Sequence, residues 1–233
     1  MRTWRRDGVV VAVGFHDGPE VVRLAVDPAA AEDAELAGAV HAYLRTDAAP
    51  ADVEVRAWPV LHDRLTGAGW TPGEPWTPLV LDLADPVPDP GIDVEVVTAD
   101  RAEAWTAVHQ AAFGMAGAPR TDRWTTMAAG PAWERATCLL GHDASGSAVA
   151  GAVVWAADPG LPGLVEPLGA HPDHRGHGYG VAITRAAAAA LRSAGSSQAW
   201  VATPAANTGG VAAYASAGFT RLPDVRDLSR PRT

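Results

Sequence analysis

Residues 163–195 read GLVEPLGAHPDHRGHGYGVAITRAAAAALRSAG. The pattern through Ala170 is typical of a β-strand, and the alanine-rich second half is typical of a helix that ends at Gly195. Between them, residues 175–180 place glycine at alternate positions where the helix begins. Glycine leaves backbone N–H groups unobstructed, and a helix start adds unpaired donors and the positive end of a dipole. The stretch therefore predicts a strand, a turn that binds an anion, and a helix.

Other glycine-rich motifs fit this turn less well. Arg175 supplies a guanidinium fork suited to phosphate, but a P-loop would also need Lys followed by Ser or Thr. A dinucleotide-binding turn would need an acidic residue about 20 positions further on, where residues 199–203 read AWVAT. Glycines that only form a loop are the remaining alternative, which does not explain the preceding arginine.

Two motifs of this chain resemble the GNAT superfamily of acetyl-CoA-dependent N-acetyltransferases. The pyrophosphate motif of that family is Arg or Gln, two residues, Gly, one residue, then Gly or Ala, and it matches Arg175, Gly178 and Gly180. A second signature, Asn followed seven residues later by Tyr and then by Gly-Phe, matches Asn207, Tyr214 and residues 218–219. The resemblance covers about residues 92–222, and it implies a transferase with the GNAT fold.

The resemblance also implies acetyl-CoA as cosubstrate. Members of the family open a gap between two central strands, and the pantetheine arm pairs with the free strand edge there. The positions that match cofactor-binding residues of the family are Leu168, Gly169, Ala170, Arg175, Gly176, His177, Gly178, Tyr179, Gly180 and Asn207. The Ala170 N–H is in addition a candidate donor to the oxyanion.

Acetyl transfer to an amine needs a base and an acid. The resemblance places Tyr214 near the thioester sulfur, where its phenol could protonate the thiolate; a core tyrosine is the alternative. Glu166 lies four residues before Ala170, so strict period two puts both on one face. A carboxylate partly buried there would be more basic than usual and could take the proton of the amine, or it could only bind a cation. Pro167 predicts a bulge or an unpaired edge.

Two further groups are predicted to play no chemical part. Cys138 lies in an apolar strand and is expected to be a small buried hydrophobe, so attack would be direct in a ternary complex. His171, His174 and His177 recur every three residues, but no cluster of carboxylates or cysteines completes a metal site. We therefore expect no metal.

The order strand, helix, strand, helix, strand occurs twice in the chain and suggests an internal repeat. Aligning the halves sets Ala31, Ala34, Leu36, Trp58 and Leu65 against the motif residues, and none of them could bind phosphate or catalyse. We expect a degenerate, truncated GNAT-like unit over 1–84, a proline-rich linker over 85–91 and a catalytic domain over 92–228. An unrelated α/β subdomain is the alternative for 1–84. The predicted class is α/β (α+β), with a mixed twisted sheet flanked by helices.

Composition sets the remaining expectations. The chain has 233 residues, is 48% hydrophobic and carries a formal charge of −9, which argues against nucleic acid as a partner. Nothing resembles a signal peptide or a membrane span, so a soluble, cytoplasmic monomer or homodimer is expected. The predicted acceptor is a primary amine of a small molecule or peptide. A catalytically silent module that binds or senses CoA is the alternative function.

Overall fold

The computed structural model describes residues 1–17, 21–46 and 53–231. The chain forms two compact units, Met1–Trp76 with Val225–Thr233, and Thr77–Asp224. This division differs from boundaries at 84 and 91, because the last strand pairs in the first unit and Val87 of the predicted linker packs in the core of the second. Of the turn predicted at residues 16–19, the first two residues belong to strand β2 and the last two lie outside the described residues, as do the predicted strand residues Glu20 and Asp52.

The first unit is a sheet with two helices. Its strands are β1 (Arg2–Arg6), β2 (Val9–Asp17), β3 (Val21–Val26), β4 (Glu54–Val55), the beginning of β5 (Thr71–Asp82) and β12 (Val225–Ser229), in the order β1-β2-β3-β4-β12-β5. Asp33 caps helix α1 (Ala34–Leu44) and accepts hydrogen bonds from two of its N–H groups, and Pro59 opens helix α2 (Pro59–Gly67). Leu36 and Leu65, which the repeat alignment sets opposite motif residues, are buried in this unit's core.

The second unit carries the motifs on a mixed sheet. Its elements after β5 are β6 (Asp93–Val96), α3 (Ala102–Ala112), α4 (Asp122–Ala128), β7 (Ala136–His142), β8 (Ala148–Trp155), β9 (Gly163–Ala170), α5 (Tyr179–Ser193), β10 (Gln198–Pro204), α6 (Thr208–Ser216) and β11 (Thr220–Arg221). The strand order is β5-β10-β9-β8-β7-β6, with β11 on β5. Strands β6 to β9 are antiparallel neighbours, whereas β9 and β10 are parallel.

Helices cover both faces of this sheet. Ala152 and Val154 of β8 pack in one core with Ile183 of α5. Val153 of the same strand packs in another core with Trp105 of α3. Successive side chains of a strand point to opposite faces, so α5 lies on one face and α3 on the other. The predicted mixed sheet flanked by helices is confirmed.

The segment between α3 and β7 is polar and contains glycine, but it is partly helical. It contains α4 and a 3₁₀ turn at Pro131–Arg135. Trp124 of α4 is buried and Met127 packs beside it against the α3 core. A helix this short is stabilised by tertiary contacts more than by its own sequence. The hydrophobic periodicity of the sequence therefore did not predict it. None of the helices in the described ranges is long and apolar enough to cross a bilayer.

Candidate active site

The glycine turn has the backbone conformation that its spacing predicts. Gly176 and Gly178 have φ of +80° and +83°, in the left-handed region that favours glycine. Gly178 is the residue before α5, and no side chain caps the helix. A Cβ added at Gly176 or Gly178 would meet no atom within 4 Å, so backbone conformation and not packing requires glycine there. The first N–H groups of α5 are left for a ligand, as in other anion sites at helix starts.

Gly180 meets a weaker requirement. It lies within α5, where an added Cβ would only contact Cβ of Ala213 at 3.6 Å. That distance is an ordinary van der Waals contact. Alanine would fit here, in agreement with a motif that accepts either residue.

Arg175 contacts a helix on the other face of the sheet. Its guanidinium donates a hydrogen bond of 3.2 Å to the carbonyl oxygen of Ala112, at the last turn of α3. Carbonyl groups are unpaired at that helix end and the dipole is negative there, so a cation is favoured. In this structure the arginine thus stabilises the end of α3, and its contact with phosphate stays a prediction.

The side chains of the three histidines contact their own loop, and the His174 ring packs against those of His171 and Tyr179. His171 Nδ1 accepts from the Asp173 N–H, and His177 Nδ1 lies 3.0 Å from the carbonyl oxygen of Arg175. The His177 ring also stacks on Tyr179 at 5.9 Å. Within the described ranges, no three His, Cys, Asp or Glu side chains come together as metal ligands. These histidines therefore shape the turn.

Strands β9 and β10 separate along their length. They pair at Gly163 with Ala199 and at Leu164 with Trp200, and no later pair joins the described residues of the two strands. On the β8 side, the His171 N–H donates to Val149 O. Backbone groups alternate along a strand, so the N–H groups of Ala170 and Leu168 point the other way, into the gap. These are two of the positions that the resemblance assigned to pantetheine binding.

The bulge predicted from Pro167 is present. Val154 of β8 pairs with Val165 of β9, and Ala152 pairs with Leu168, so two residues of β9 oppose one of β8. A bulge shifts the alternation of side chains by one. Leu168 therefore shares the α5 face with Val165, and so does Ala170, which pairs with Ala150.

Glu166 consequently lies on the α3 face, next in sequence to Val165 of the α5 face. The prediction that Glu166 and Ala170 share a face was wrong, because it assumed an unbroken strand. The predicted partial burial is not observed either, since the Glu166 side chain is exposed. No ion pair joins its carboxylate to another described residue. The Trp155 Nε1–H donates a 2.6 Å hydrogen bond to the Glu166 carbonyl oxygen and holds the bulge.

Tyr214 is buried close to this carboxylate. Its side chain is 6% exposed and packs against Phe219, with ring centroids 5.9 Å apart. Burial, and to a smaller extent the negative charge of Glu166, raises the pKa of Tyr214 to about 12. The phenol is therefore protonated at neutral pH and can donate. The charge of one predicted catalytic residue thus acts on the other, and their roles as acid and base stay predictions.

Asn207 fixes where Tyr214 lies. Its Oδ1 accepts from the Gly210 N–H at 3.1 Å and caps α6, while its Nδ2 donates to Thr203 Oγ1 at 2.9 Å. The side chain thus joins the start of α6 to the end of β10. Because Tyr214 is seven residues further on, two helical turns place it on the same side of α6. One Nδ2 hydrogen is left over, and its use by the cofactor stays a prediction.

Cys138 is 1% exposed in β7, and burial raises the pKa of its thiol to about 12. A thiol in that state is a poor nucleophile. We expect Cys138→Ala to keep kcat within about twofold of the wild type, since no step uses the sulfur. Steady-state kinetics with matched thermal unfolding curves check this. Loss of turnover in a folded variant would indicate an acyl-cysteine intermediate.

The sequence did not predict that two tryptophans lie together near the bulge. Trp155 ends β8, and Trp133 lies in the 3₁₀ turn before β7, with ring centroids 6.0 Å apart at 73°. The count of nine Trp was the available signal, but it does not say which of them meet.

A family model described as the acetyltransferase (GNAT) family matches residues 103–219, just over half of the chain. No curated protein is significantly similar to it. Among solved structures, a GCN5-related N-acetyltransferase from Sphaerobacter thermophilus has a TM-score of 0.67 at 20% identity, covering 96% of this chain and 78% of that one. One from Kribbella flavida has a TM-score of 0.64 at 22% identity, covering 95% and 87%.

A tandem GNAT protein from the clavulanic acid biosynthesis pathway has a TM-score of 0.62 at 19% identity and covers 97% of this chain and 80% of its own. The shared fold is therefore not confined to the second unit. At these identities the structures show the fold, and the family model carries the assignment. The chain belongs to the GNAT acetyltransferase family, and it is an acyltransferase.

Proposed function

We propose that the second unit moves an acetyl group from acetyl-CoA to a primary amine of a small molecule or peptide, by direct attack in a ternary complex. The observation that carries this proposal is an exposed Glu166 where β9 and β10 separate, whose charge acts on the buried, protonated phenol of Tyr214. Acyl transfer to an amine needs a proton donor and a proton acceptor, and the phenol and the carboxylate would supply them at the narrow end of the gap between β9 and β10.

The cofactor would lie where the two central strands β9 and β10 separate. Amides of residues 176–180 would bind the diphosphate at the start of α5. The pantetheine arm would enter the gap and pair with the backbone of Leu168 and Ala170. This brings the thioester to the narrow end of the gap, beside Tyr214.

The chemistry then divides among three groups. Glu166 takes a proton from the ammonium ion, directly or through water, and the free amine attacks the thioester carbonyl carbon. The Ala170 N–H donates to the oxyanion while the C–N bond forms. As the C–S bond breaks, Tyr214 protonates the departing sulfur. The attacking nitrogen loses its second proton, which returns through water to the phenolate, and Glu166 releases its proton to solvent. The burial that raises the pKa of the phenol also favours the neutral thiol product.

The first unit would take no part in this chemistry. We propose that it is a degenerate GNAT-like unit, as the repeat alignment suggested. The alignment sets Trp58 opposite Asn207, and Trp58 precedes α2 without any side-chain cap bond. Leu65, opposite Tyr214, is fully buried in the core. Leu65 has no polar group, and the Nε1 atom of Trp58 is buried, so neither side chain offers a polar group to a cofactor.

The test of this function is release of CoA thiol from acetyl-CoA with a panel of primary amines. We expect release that depends on the amine, with an equal amount of acetylated product by mass spectrometry. Binding of acetyl-CoA without such release would leave the silent CoA-binding module. Absence of any heat of association with CoA would contradict both functions.

A glycine pair tests the diphosphate site. Gly178→Ala and Gly160→Ala both put a Cβ at positive φ, +83° and +84°, and neither Cβ would meet another atom within 4 Å. Each should cost roughly 1–2 kcal/mol of stability. We expect only Gly178→Ala to raise the Kd for CoA, by about tenfold or more, since it distorts the donor turn. Calorimetry with CoA and thermal unfolding measure the two effects, and equal Kd values for both variants would contradict the site.

A further inference from the structure

The α3 face beside the bulge carries an aromatic surface. Trp155 pairs across the strands with Leu164, so both side chains lie on this face. Trp133 meets Trp155 edge to face, at 6.0 Å and 73°. Trp133 and Trp155 are half-buried and Leu164 is 40% exposed. We call Trp133, Trp155 and Leu164 the aromatic wall.

A negative charge lies at the edge of this wall. The Trp155 Nε1–H bond to the Glu166 carbonyl oxygen fixes the indole against the residue that carries the carboxylate. No ion pair joins that carboxylate to a described residue. Arg135, two residues from Trp133, is already paired with Asp158 at 2.6 Å. The Trp155 indole thus lies against the backbone of a residue whose carboxylate forms no ion pair within the described residues, where β9 and β10 begin to separate.

This arrangement suits one kind of ligand. A cation is attracted by the face of an aromatic ring, most strongly by tryptophan, and by a carboxylate at the same time. The accessible parts of the two half-buried indoles and the exposed Leu164 also favour an apolar or flat body over a hydroxyl or a second charge. The polar part of such a ligand would point at Glu166 and the apolar part would cover the wall.

We propose that the acceptor is an arylalkylamine, a primary ammonium ion carrying an aromatic group, held by the aromatic wall with its nitrogen beside Glu166. This inference rests on the proposed acetyl transfer at the same site and names its substrate class. The wall positions the substrate, and Glu166 and Tyr214 carry out the chemistry. Aliphatic diamines and amino alcohols would lack the aromatic contact.

A probe that cannot be acetylated tests the wall without catalysis. Benzyltrimethylammonium has the cation and the ring but no N–H. We expect the whole protein to bind it, by calorimetry, at least tenfold more tightly than uncharged benzyl alcohol. Trp133→Leu keeps an apolar side chain without a π face and should weaken binding about five- to tenfold. Trp58→Leu, which removes a half-buried indole of the first unit, is the matched control.

Turnover gives an independent reading. We expect kcat/KM for 2-phenylethylamine to exceed the values for ethanolamine and 1,4-diaminobutane at least tenfold. Trp133→Leu or Trp155→Phe should reduce this preference for 2-phenylethylamine over both other amines. Benzyltrimethylammonium should compete with the amine and not with acetyl-CoA. Equal kcat/KM for the three amines, or binding of the probe unchanged by Trp133→Leu, would overturn the inference. Wall-dependent binding without acetyl transfer to any amine would instead refute the proposed function and leave the wall as a cation site.

Discussion

Replacing Tyr214 with phenylalanine is expected to lower kcat by about a hundredfold or more, the usual scale for loss of a general acid. The ring stays and keeps its packing against Phe219, so only the proton donor is lost. The thiolate would then leave without a proton from the enzyme. The Kd for acetyl-CoA should remain within about twofold, because the proposed diphosphate and pantetheine contacts lie elsewhere.

Kinetics and pH profiles measure this prediction. Wild-type kcat/KM should rise with pH as the amine loses its proton. Because a pKa of about 12 keeps Tyr214 protonated, this group should cause no decline of kcat/KM below pH 10. Tyr214→Phe should lower the plateau without moving the rise. Tyr43→Phe in the first unit is the control for loss of a phenol. Equal losses in kcat and in acetyl-CoA affinity would remove the acid role.

The glycine turn and the α6 motif could be predicted because their requirements are local. Positive φ at Gly176 and Gly178 is a property of the turn itself, and the cap by Asn207 sets Tyr214 through the spacing of one helix. In both motifs the residues that act together are close in sequence. Their geometry therefore follows from the pattern without knowledge of the tertiary fold.

The errors arose where one part of the chain depends on another. Register with β8 decides the face of Glu166, and the bulge changes that register. Pairing of Val225 with Trp76 decides which unit receives the last strand. The aromatic wall joins Trp133 from a short turn to Trp155 from a strand, and no spacing in the sequence relates them. Strand register and long-range packing are the features that are hardest to predict from a single sequence.

Replacing Glu166 with glutamine is expected to lower kcat/KM about a hundredfold at neutral pH, with most of the loss in kcat. Glutamine keeps the size and the hydrogen-bonding ends of the side chain, but it cannot take a proton. The loss should shrink as pH rises, because more of the amine then arrives without its proton. Glu103→Gln, at an exposed glutamate in the first turn of α3, is the control for loss of one charge.

The kcat and KM effects of Glu166→Gln separate the two roles left open for this carboxylate. A higher KM with unchanged kcat at every pH would show that Glu166 binds the cation and takes no proton. Loss of the carboxylate removes one of the two causes that raise the pKa of Tyr214. The phenol of the variant is therefore a better proton donor than that of the wild type, so impaired proton donation by Tyr214 could not explain a lower kcat. A fall in kcat that is largest at low pH therefore reports proton removal from the amine.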